Sequence, residues 1–292
     1  MMYRILTIVF GLLLASSVAA ESVDKTVDAA ADGQVDISNT AGSVEVYGWS
    51  NSRVEVTGEL GDRVEELVLE REGDRVTVKV KVPRNGGSKI ASDIVVRVPE
   101  MSSIDVSGVS ADIDVEDVLG EQSLHTVSGD VDTKVVDADL EVASVSGDIE
   151  VEGDRRDTDT RANTVSGDIV LFGLGGEIGA EVVSGDITID EGAYDRVAIE
   201  SVNGDLVFVA ELRKGGRLAV ESVNGDVEIE FAGDVSADFE IDSFNGGIEN
   251  CFGPKAERTS KYAPGWELNF TEGDGDGSVT VSTLNGDIHI CK

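Results

Sequence analysis

A short motif that recurs about every 20 residues constrains this chain more than any other feature. It reads Ser-Gly-Asp or Asn-Gly-Asp, with one Asn-Gly-Gly variant, and a degenerate earlier copy is assigned around Gly108. Successive glycines lie 18 to 21 residues apart, except for a last step of 40, which is interpreted as two periods with one blurred copy. Such self-similarity indicates a repeat architecture. The motif glycines are Gly129, Gly147, Gly167, Gly185, Gly204, Gly225, Gly246 and Gly286.

Apolar residues within each copy fall seven, five and two positions before the glycine, and two and four positions after it. Alternate spacing is typical of strands with one buried face. The spacing changes from two to three between the fifth and second positions before the glycine. This change in parity predicts a bend or bulge there, and the glycine itself predicts a second bend.

A unit of about 20 residues cannot bury its apolar side alone, so identical units must stack. Like strands then lie parallel, about 4.8 Å apart. The sequence therefore predicts an all-β fold, a single-chain parallel β-solenoid resembling a right-handed β-helix. Eight or nine coils are expected. Leucine-rich repeats and calcium-binding nonapeptide rolls do not fit the spacing, and a twisted antiparallel sandwich of repeated hairpins is the main alternative.

The chain divides into three predicted parts. Residues 1–20 have the charged start, apolar stretch and small-residue end of a secretory signal, and cleavage is expected after Ala20, with no transmembrane segment remaining. Residues 21–100 alternate apolar and polar positions and include a predicted hairpin over 67–80. They are interpreted as a β-rich cap that covers the open N-terminal end of the stack. Residues 101–292 form the repeat solenoid.

The rhythm is interrupted by an insertion at residues 252–277. It combines aromatic and basic side chains, and loops on repeat scaffolds are common positions for binding sites. The alternative is a packed loop that covers the last coil. The candidate binding residues are Lys255, Arg258, Lys261, Tyr262 and Trp266.

The two cysteines occupy the same position of the repeat. Cys251 and Cys291 each lie five residues after a motif glycine. If the insertion bulges outward and their coils are neighbours, their Cα atoms stack about 5 Å apart, within disulfide range. Because export favours oxidation, a Cys251–Cys291 disulfide that pins the last coil is predicted. Two free thiols are the alternative.

The residues on either side of the glycine form two further columns. The preceding residue is Ser in the early copies and Asn in the later ones, and stacked Asn side chains can hydrogen-bond along the ladder. The following Asp is interpreted as corner chemistry, since Asp bonds backbone N–H groups at turns. This column is also a weak Ca²⁺ candidate because Ca²⁺ prefers several carboxylate oxygens. No other metal or cofactor is predicted. The column is Asp130, Asp148, Asp168, Asp186, Asp205, Asp226 and Asp287.

The formal net charge is −35, and −36 once Arg4 is removed with the signal. This acidity argues against nucleic acid and against anionic membrane surfaces. His125 and His289 are far apart, and no nucleophile–base arrangement is visible, so no catalytic residue and no enzyme activity are predicted.

The order of the segments resembles a known family. A signal sequence, a β-rich lead-in and a Val-Arg-Val-Pro segment at 96–99 precede repeated S-V-S-G-D-I and S-V-N-G-D-V copies and a closing S-T-L-N-G-D-I-H-I. This resembles the bacterial DUF4097 family, β-strand-repeat proteins labelled "putative adhesins", from about Val35 to the end. The resemblance implies a role at the surface or in the envelope and no known catalytic residues.

The leading functional hypothesis is a non-enzymatic protein of the periplasm or cell surface, whose solenoid is a scaffold for adhesion or binding. Its partner would be an envelope protein or a glycan. One alternative is a periplasmic partner in envelope-stress signalling that uses the insertion. Another is a β-helix enzyme that acts on polysaccharides.

Overall fold

The computed structural model describes residues 21–84, 87, 89–260 and 264–292, and these residues form strands and turns. The predicted signal over 1–20 lies outside them. No helix in the described part of the chain could cross a membrane. The strands are β1 (Glu21–Asp28), β2 (Gln34–Trp49), β3 (Arg53–Leu60), β4 (Glu66–Glu72), β5 (Arg75–Lys81), β6 (Ser92–Pro99), β7 (Ser103–Glu116), β8 (Gln122–His125), β9 (Val131–Val135), β10 (Leu140–Ser146), β11 (Ile149–Gly153), β12 (Asp157–Ser166), β13 (Ile169–Phe172), β14 (Gly175–Ser184), β15 (Ile187–Asn203), β16 (Leu206–Asn224), β17 (Val227–Phe231), β18 (Ala237–Asn245), β19 (Ile248–Asn250), β20 (Glu257–Arg258), β21 (Trp266–Glu272), β22 (Gly277–Asn285) and β23 (Ile288–Cys291).

Each coil of the body contributes one strand before its corner glycine and one strand after it. The strands before the corner form a first parallel ladder, in which Leu140 of β10 pairs with Thr160 of β12. The strands after the corner form a second parallel ladder, in which Ile149 of β11 pairs with Ile169 of β13. Inward side chains of both ladders share one apolar core. The predicted parallel β-solenoid is confirmed, and the repeated-hairpin sandwich is wrong.

The N-terminal segment adds coils to this stack as well as covering it. Strand β2 runs parallel to β7 on one side and to β5 and β6 on the other. Strands β4 and β3 then pair antiparallel with β5 and β6, and β1 pairs with β3 outside them. The predicted hairpin over 67–80 is confirmed as β4 and β5. The antiparallel strands end the parallel stacking on this side.

The degenerate first copy of the motif is corrected by the pairing register. Ser107 of β7 pairs with His125 of β8, which aligns Ala111, and not Gly108, with the corner glycine Gly129. A Cβ atom at Gly129 would indeed overlap the carbonyl oxygen of Ala111. The predicted corner at Gly108 is therefore wrong by three residues, because the true corner is occupied by Ala111 and not by a glycine.

The coils near the C-terminus do not stack in chain order. Strands β22 and β23 lie between β16–β17 on one side and β18–β19 on the other. The chain therefore passes over one vacant position, builds the outer coil and returns to fill the gap. Counted this way, the described residues form eleven coils, more than the eight or nine expected.

The 40-residue step contains an antiparallel strand and not a blurred coil. Strand β21 pairs antiparallel with the outer edge of β18, and β20 pairs antiparallel with β21. Phe270 of β21 stacks on Phe239 of β18, with their ring centroids 4.4 Å apart, and Phe252 packs against both rings. These aromatic side chains close the C-terminal end of the apolar core, where a further coil would otherwise be needed.

Candidate functional site

The corner glycines are required by the close approach of successive coils. A Cβ atom on Gly204 would overlap the carbonyl oxygen of Gly185, and one on Gly225 would overlap that of Gly204. At Gly204 the backbone φ is +145°, a conformation that side-chain-bearing residues rarely adopt. The motif glycine is thus fixed by backbone geometry.

The aspartates that follow the glycines tie each corner to the next. In each bond of this series the backbone N–H of the residue after a corner donates to Oδ1 of the Asp on the adjacent coil, and the donor is an Asp in every bond except the last, where it is Gly247. The N···O distance is 2.9 Å from Asp148 to Asp130 and 2.8 Å from Asp186 to Asp168. The series runs from Asp112 to Gly247 through the returning coil, where Asp287 N–H donates to Asp226. One carboxylate oxygen per coil therefore has a structural partner, as corner chemistry predicts.

The asparagines before the glycines form a second ladder of side chains. Asn224 donates from Nδ2 to Oδ1 of Asn203 at 2.9 Å, and Asn285 donates to Asn224 at 2.8 Å. Asn245 donates to Asn285 at 2.9 Å and so extends the ladder over the outer coil. The predicted hydrogen bonding along this column is confirmed. The ladder follows spatial order and not chain order.

The residue three positions before each corner glycine points into the core. It is Ser or Thr in seven of the eight motif copies, and all seven side chains are buried. Thr126 donates to the carbonyl oxygen of Ala111 at 3.1 Å, Thr164 to that of Gly147 and Ser243 to that of Gly286. In these copies, and in Ser144, the hydroxyl satisfies the corner carbonyl of the neighbouring coil. The hydroxyls of Ser201, Ser222 and Thr283 are buried without a hydrogen-bond partner among the described residues.

The apolar residue two positions before each corner glycine consequently points outward. The strand runs through this position without a change of register, so the predicted bend between the fifth and second positions is wrong. The parity changes only at the corner. These eight side chains and Val109, which precedes the Ala111 corner, stack into an exposed column of nine, here called the apolar ridge, and each is 38% to 50% exposed. In spatial order the ridge is Val109, Val127, Val145, Val165, Val183, Val202, Val223, Leu284 and Phe244.

A groove of about 460 Å³ runs along the ridge on the side of the first ladder. Ridge valines form one wall, the buried Ser and Thr positions form the floor, and the outward residues four positions before the glycines form the other wall. A second groove of about 440 Å³ shares Ser222 and Ser282 with the first and reaches Phe244 and Trp266. Together they are called the ridge groove. Its outer wall in spatial order is Ala143, Asn163, Glu181, Glu200, Glu221, Ser282 and Asp242.

The charge along the ridge groove has one sign. Glu181, Glu200 and Glu221 stand on three successive coils and are exposed. Among the described residues, none of the three takes part in an ion pair, and no Lys or Arg lines the grooves. Several basic side chains elsewhere on the body pair with acids, as Arg213 does with Asp157 and Asp195. The groove thus combines an apolar wall with an unneutralised acidic wall.

The insertion at 252–277 supplies Thr259, Pro264, Gly265 and Trp266 to the end of the ridge groove. Trp266 lies at the start of β21, lines the end of the ridge groove and carries the guanidinium of Arg258 over its ring at 4.8 Å. Lys255 is exposed in the connection before β20. Lys261 and Tyr262 lie outside the described residues. Trp266–Glu272 of the insertion form the covering strand β21, in line with the alternative of a packed loop that covers the last coil.

The Cys251–Cys291 disulfide is present, with the Cα atoms 4.9 Å apart. It joins two coils that are neighbours in space although 40 residues apart in the chain. His289 Nε2 lies 3.2 Å from Cys291 Sγ. Cys251, His289 and Cys291 form the one converging group of three metal-ligand side chains in the described part of the chain, and both thiols are in the disulfide. Ca²⁺ binding by the Asp column stays a prediction.

These features define a parallel β-solenoid protein whose most distinctive surface is an apolar ridge beside a row of carboxylates. The chain belongs to the DUF4097 family, described as Toastrack, whose sequence model matches residues 33–291. The resemblance drawn from the motif is confirmed. No curated protein matches the chain.

Several solved structures are similar in fold. A "putative cell adhesion protein" from Clostridium sporogenes ATCC 15579 is 10% identical, with 93% of this chain and 99% of that chain covered and a TM-score of 0.30. A "putative lipid binding protein" from Parabacteroides distasonis ATCC 8503 is 12% identical, with 93% and 97% covered and a TM-score of 0.37. A "putative adhesin" from Bacteroides fragilis NCTC 9343 is 9% identical, with 93% and 98% covered and a TM-score of 0.31. These likenesses are too distant to assign a ligand.

Proposed function

We propose that this is a non-enzymatic, exported envelope or surface protein, and that its solenoid is a scaffold for binding or adhesion through the apolar ridge. The observation that carries the proposal is the ridge itself. Nine apolar side chains stand exposed in one line on an otherwise strongly acidic chain. Contiguous exposed apolar surface on a soluble protein marks an interaction site more often than scattered single residues do.

The scaffold holds this surface in one conformation. Asp and Asn side chains link the corner of each coil to the next, directly beside the ridge. A surface that is already ordered loses little conformational entropy when a partner binds, which favours affinity. Export is supported by the secretory features of residues 1–20 and by the disulfide, which is characteristic of oxidising compartments.

The test uses a chain of residues 21–292, applied to envelope fractions and intact cells of its source and to a glycan array. The ridge variant is Val183→Ser/Val202→Ser/Val223→Ser. The matched control, Val170→Ser/Phe172→Ser, removes exposed apolar side chains from the second ladder. We expect binding that the ridge variant loses and the control keeps. Absence of any binding, or equal binding by both variants, contradicts the proposal.

A second candidate is a periplasmic partner in envelope-stress signalling that uses the insertion. It is favoured by Trp266, which places part of the insertion at the end of the ridge groove. Trp266→Ala should then abolish the partner's response, while Val109→Ser, at the far end of the ridge, leaves it intact. A response that survives Trp266→Ala contradicts this candidate.

A further inference from the structure

We propose that the ridge groove binds an amphipathic α-helix with a basic face, laid along the solenoid axis. This inference rests on the proposed binding function and specifies the chemistry of the partner. Apolar side chains of the helix would pack on the ridge valines, and its Lys or Arg side chains would face Glu181, Glu200 and Glu221. Three features of the groove support this occupant: the spacing of the ridge, the sign of the charge and the length of the groove.

The spacing of the ridge matches a helix and not an extended strand. Neighbouring coils lie 4.9 Å apart where the two cysteines are joined, so the ridge offers one apolar side chain at each such step. A helix with apolar residues every three or four positions presents one about every 5.3 Å along its axis. A strand lying along the groove presents one on the same face only every 6.6 Å or so. Across five steps the helix drifts by about 2 Å and the strand by about 9 Å.

The acidic wall selects a cationic partner. The three glutamates face solvent without an ion pair in the described residues, and a partner bearing Lys or Arg at that side would neutralise them. A second copy of this chain would bring a further formal charge of about −36 and like-charged walls together, which opposes self-association. Anionic lipid surfaces are disfavoured for the same reason.

The length of the groove sets the length of the helix. Outer-wall residues from Ala143 to Ser282 belong to six successive coils, which corresponds to about 25 Å. A helix of about 16 residues covers that distance. Trp266 lies on β21, outside β18 and therefore two strand positions beyond Ser282, where it lines the groove beside Phe244 and Leu284. A helix of this length would point its end towards that ring.

The first experiment uses synthetic peptides of about 18 residues made of Leu and Lys. One peptide has the helical order of apolar residues, a second has the same composition in strict alternation, and a third replaces Lys by Glu in the helical order. Binding to the 21–292 chain is measured by calorimetry, and peptide helicity by circular dichroism. We expect the helical Lys peptide to bind and gain helicity, and the other two to bind at least about tenfold more weakly. Equal binding of the alternating peptide overturns the inference.

The second experiment determines where on the protein the helical peptide binds. Val183→Ser/Val202→Ser/Val223→Ser should weaken the helical Lys peptide by about tenfold or more. Glu181→Gln/Glu200→Gln/Glu221→Gln should weaken it and reduce the salt dependence of binding. The control Glu150→Gln/Glu228→Gln/Glu230→Gln removes the same charge from the second ladder. This control should keep both the peptide affinity and the salt dependence of binding. If the two glutamate triples behave alike, binding follows net charge alone and the inference fails.

The outcomes separate this inference from the proposed function. If no peptide binds but the ridge variant still loses binding to envelope fractions, the partner is not a cationic helix and the binding scaffold stands. If sedimentation shows a dimer that the ridge variant abolishes, the groove is occupied by a second copy and the helix assignment falls. If the peptide binds as expected but envelope binding is absent, the groove chemistry is right and the scaffold function is wrong.

Discussion

At the scale of the residue, each position of the motif has a separate physical reason. Glycine is set by the carbonyl of the adjacent coil, Asp by the backbone amide after the next corner, and Ser or Thr, in four copies, by a hydrogen bond to the corner carbonyl. The ridge valine is the exception, since it points outward and is 38% to 50% exposed. β-branched residues favour strands, but Ser or Thr would serve equally there. Its repetition therefore suggests selection for what the ridge touches.

Replacement of a corner glycine should be costly. Gly204→Ala places a Cβ against the carbonyl oxygen of Gly185 at a φ that Ala disfavours, and we expect a loss of about 2–4 kcal/mol in the free energy of unfolding. The control is Gly179→Ala, where the nearest atom to an added Cβ is Arg161 Cγ at 3.8 Å. Urea denaturation of both variants measures the difference. Equal stability of the two would show that coil spacing does not fix the corner.

At the scale of the element, columns predicted from the sequence are correct but the order of coils is not. The repeat spacing placed Cys251 and Cys291 in one column, and Asn203 and Asn224 in another, because stacked units keep their register. The same spacing does not predict which coils are neighbours in space. The return of β22–β23 between β17 and β18–β19 depends on pairing between distant segments, which no local pattern encodes.

The ridge shows a different limit of the sequence pattern. Strict alternation at positions seven, five and three before the glycine would have given the true buried face. Hydrophobicity alone predicts burial of the valine at position two and exposure of the Ser or Thr at position three, which is the reverse of the observed arrangement. In Thr126 and Thr164 the deciding cause is a hydrogen bond. The recurrent Ser or Thr in nearly every copy was the available signal.

Loss of the disulfide should destabilise the C-terminal coils. The bond closes a separation of 40 residues, and the chain-entropy relation gives about 3–4 kcal/mol for a loop of this size. We expect Cys251→Ser/Cys291→Ser to lower the melting temperature and to reduce amide protection in β18, β19 and β21 more than in β10 to β13. Hydrogen exchange measures both regions in one sample, and uniform loss of protection would contradict a local effect.

At the scale of the whole molecule, stacking brings carboxylates of adjacent coils close together. The second ladder places Asp114 opposite Asp132 on adjacent coils. Partial desolvation raises the pKa of both carboxyls, and Glu116 raises that of Asp114 further while Asp130 raises that of Asp132. Since the folded state then binds protons more tightly than the unfolded chain, stability increases as the pH falls from neutral through the folded pKa values towards the ordinary value near 3.8.

Removal of these two charges should therefore stabilise the protein in a pH-dependent way. Asp114→Asn/Asp132→Asn should raise the melting temperature at pH 7 by about 2 °C, and the gain should shrink as the pH approaches 4. The control Glu228→Gln/Glu230→Gln removes the same charge from later coils and should give a smaller gain at pH 7. Melting curves across this pH range test the sign, and a gain that grows on acidification would contradict it.

The intercalated final coil has a consequence for the order in which the chain can fold. During synthesis and export the outer coil emerges before the residues that fill the gap beneath it. Until residues 277–291 arrive, β16–β17 and β18–β19 present unpaired parallel edges that face each other across an empty position. Folding from the N-terminus therefore cannot proceed by simple addition of coils, because residues 277–291 must insert between two coils that are made before them. A chain truncated before residue 277 would leave two unpaired strand edges and Cys251 without its disulfide partner.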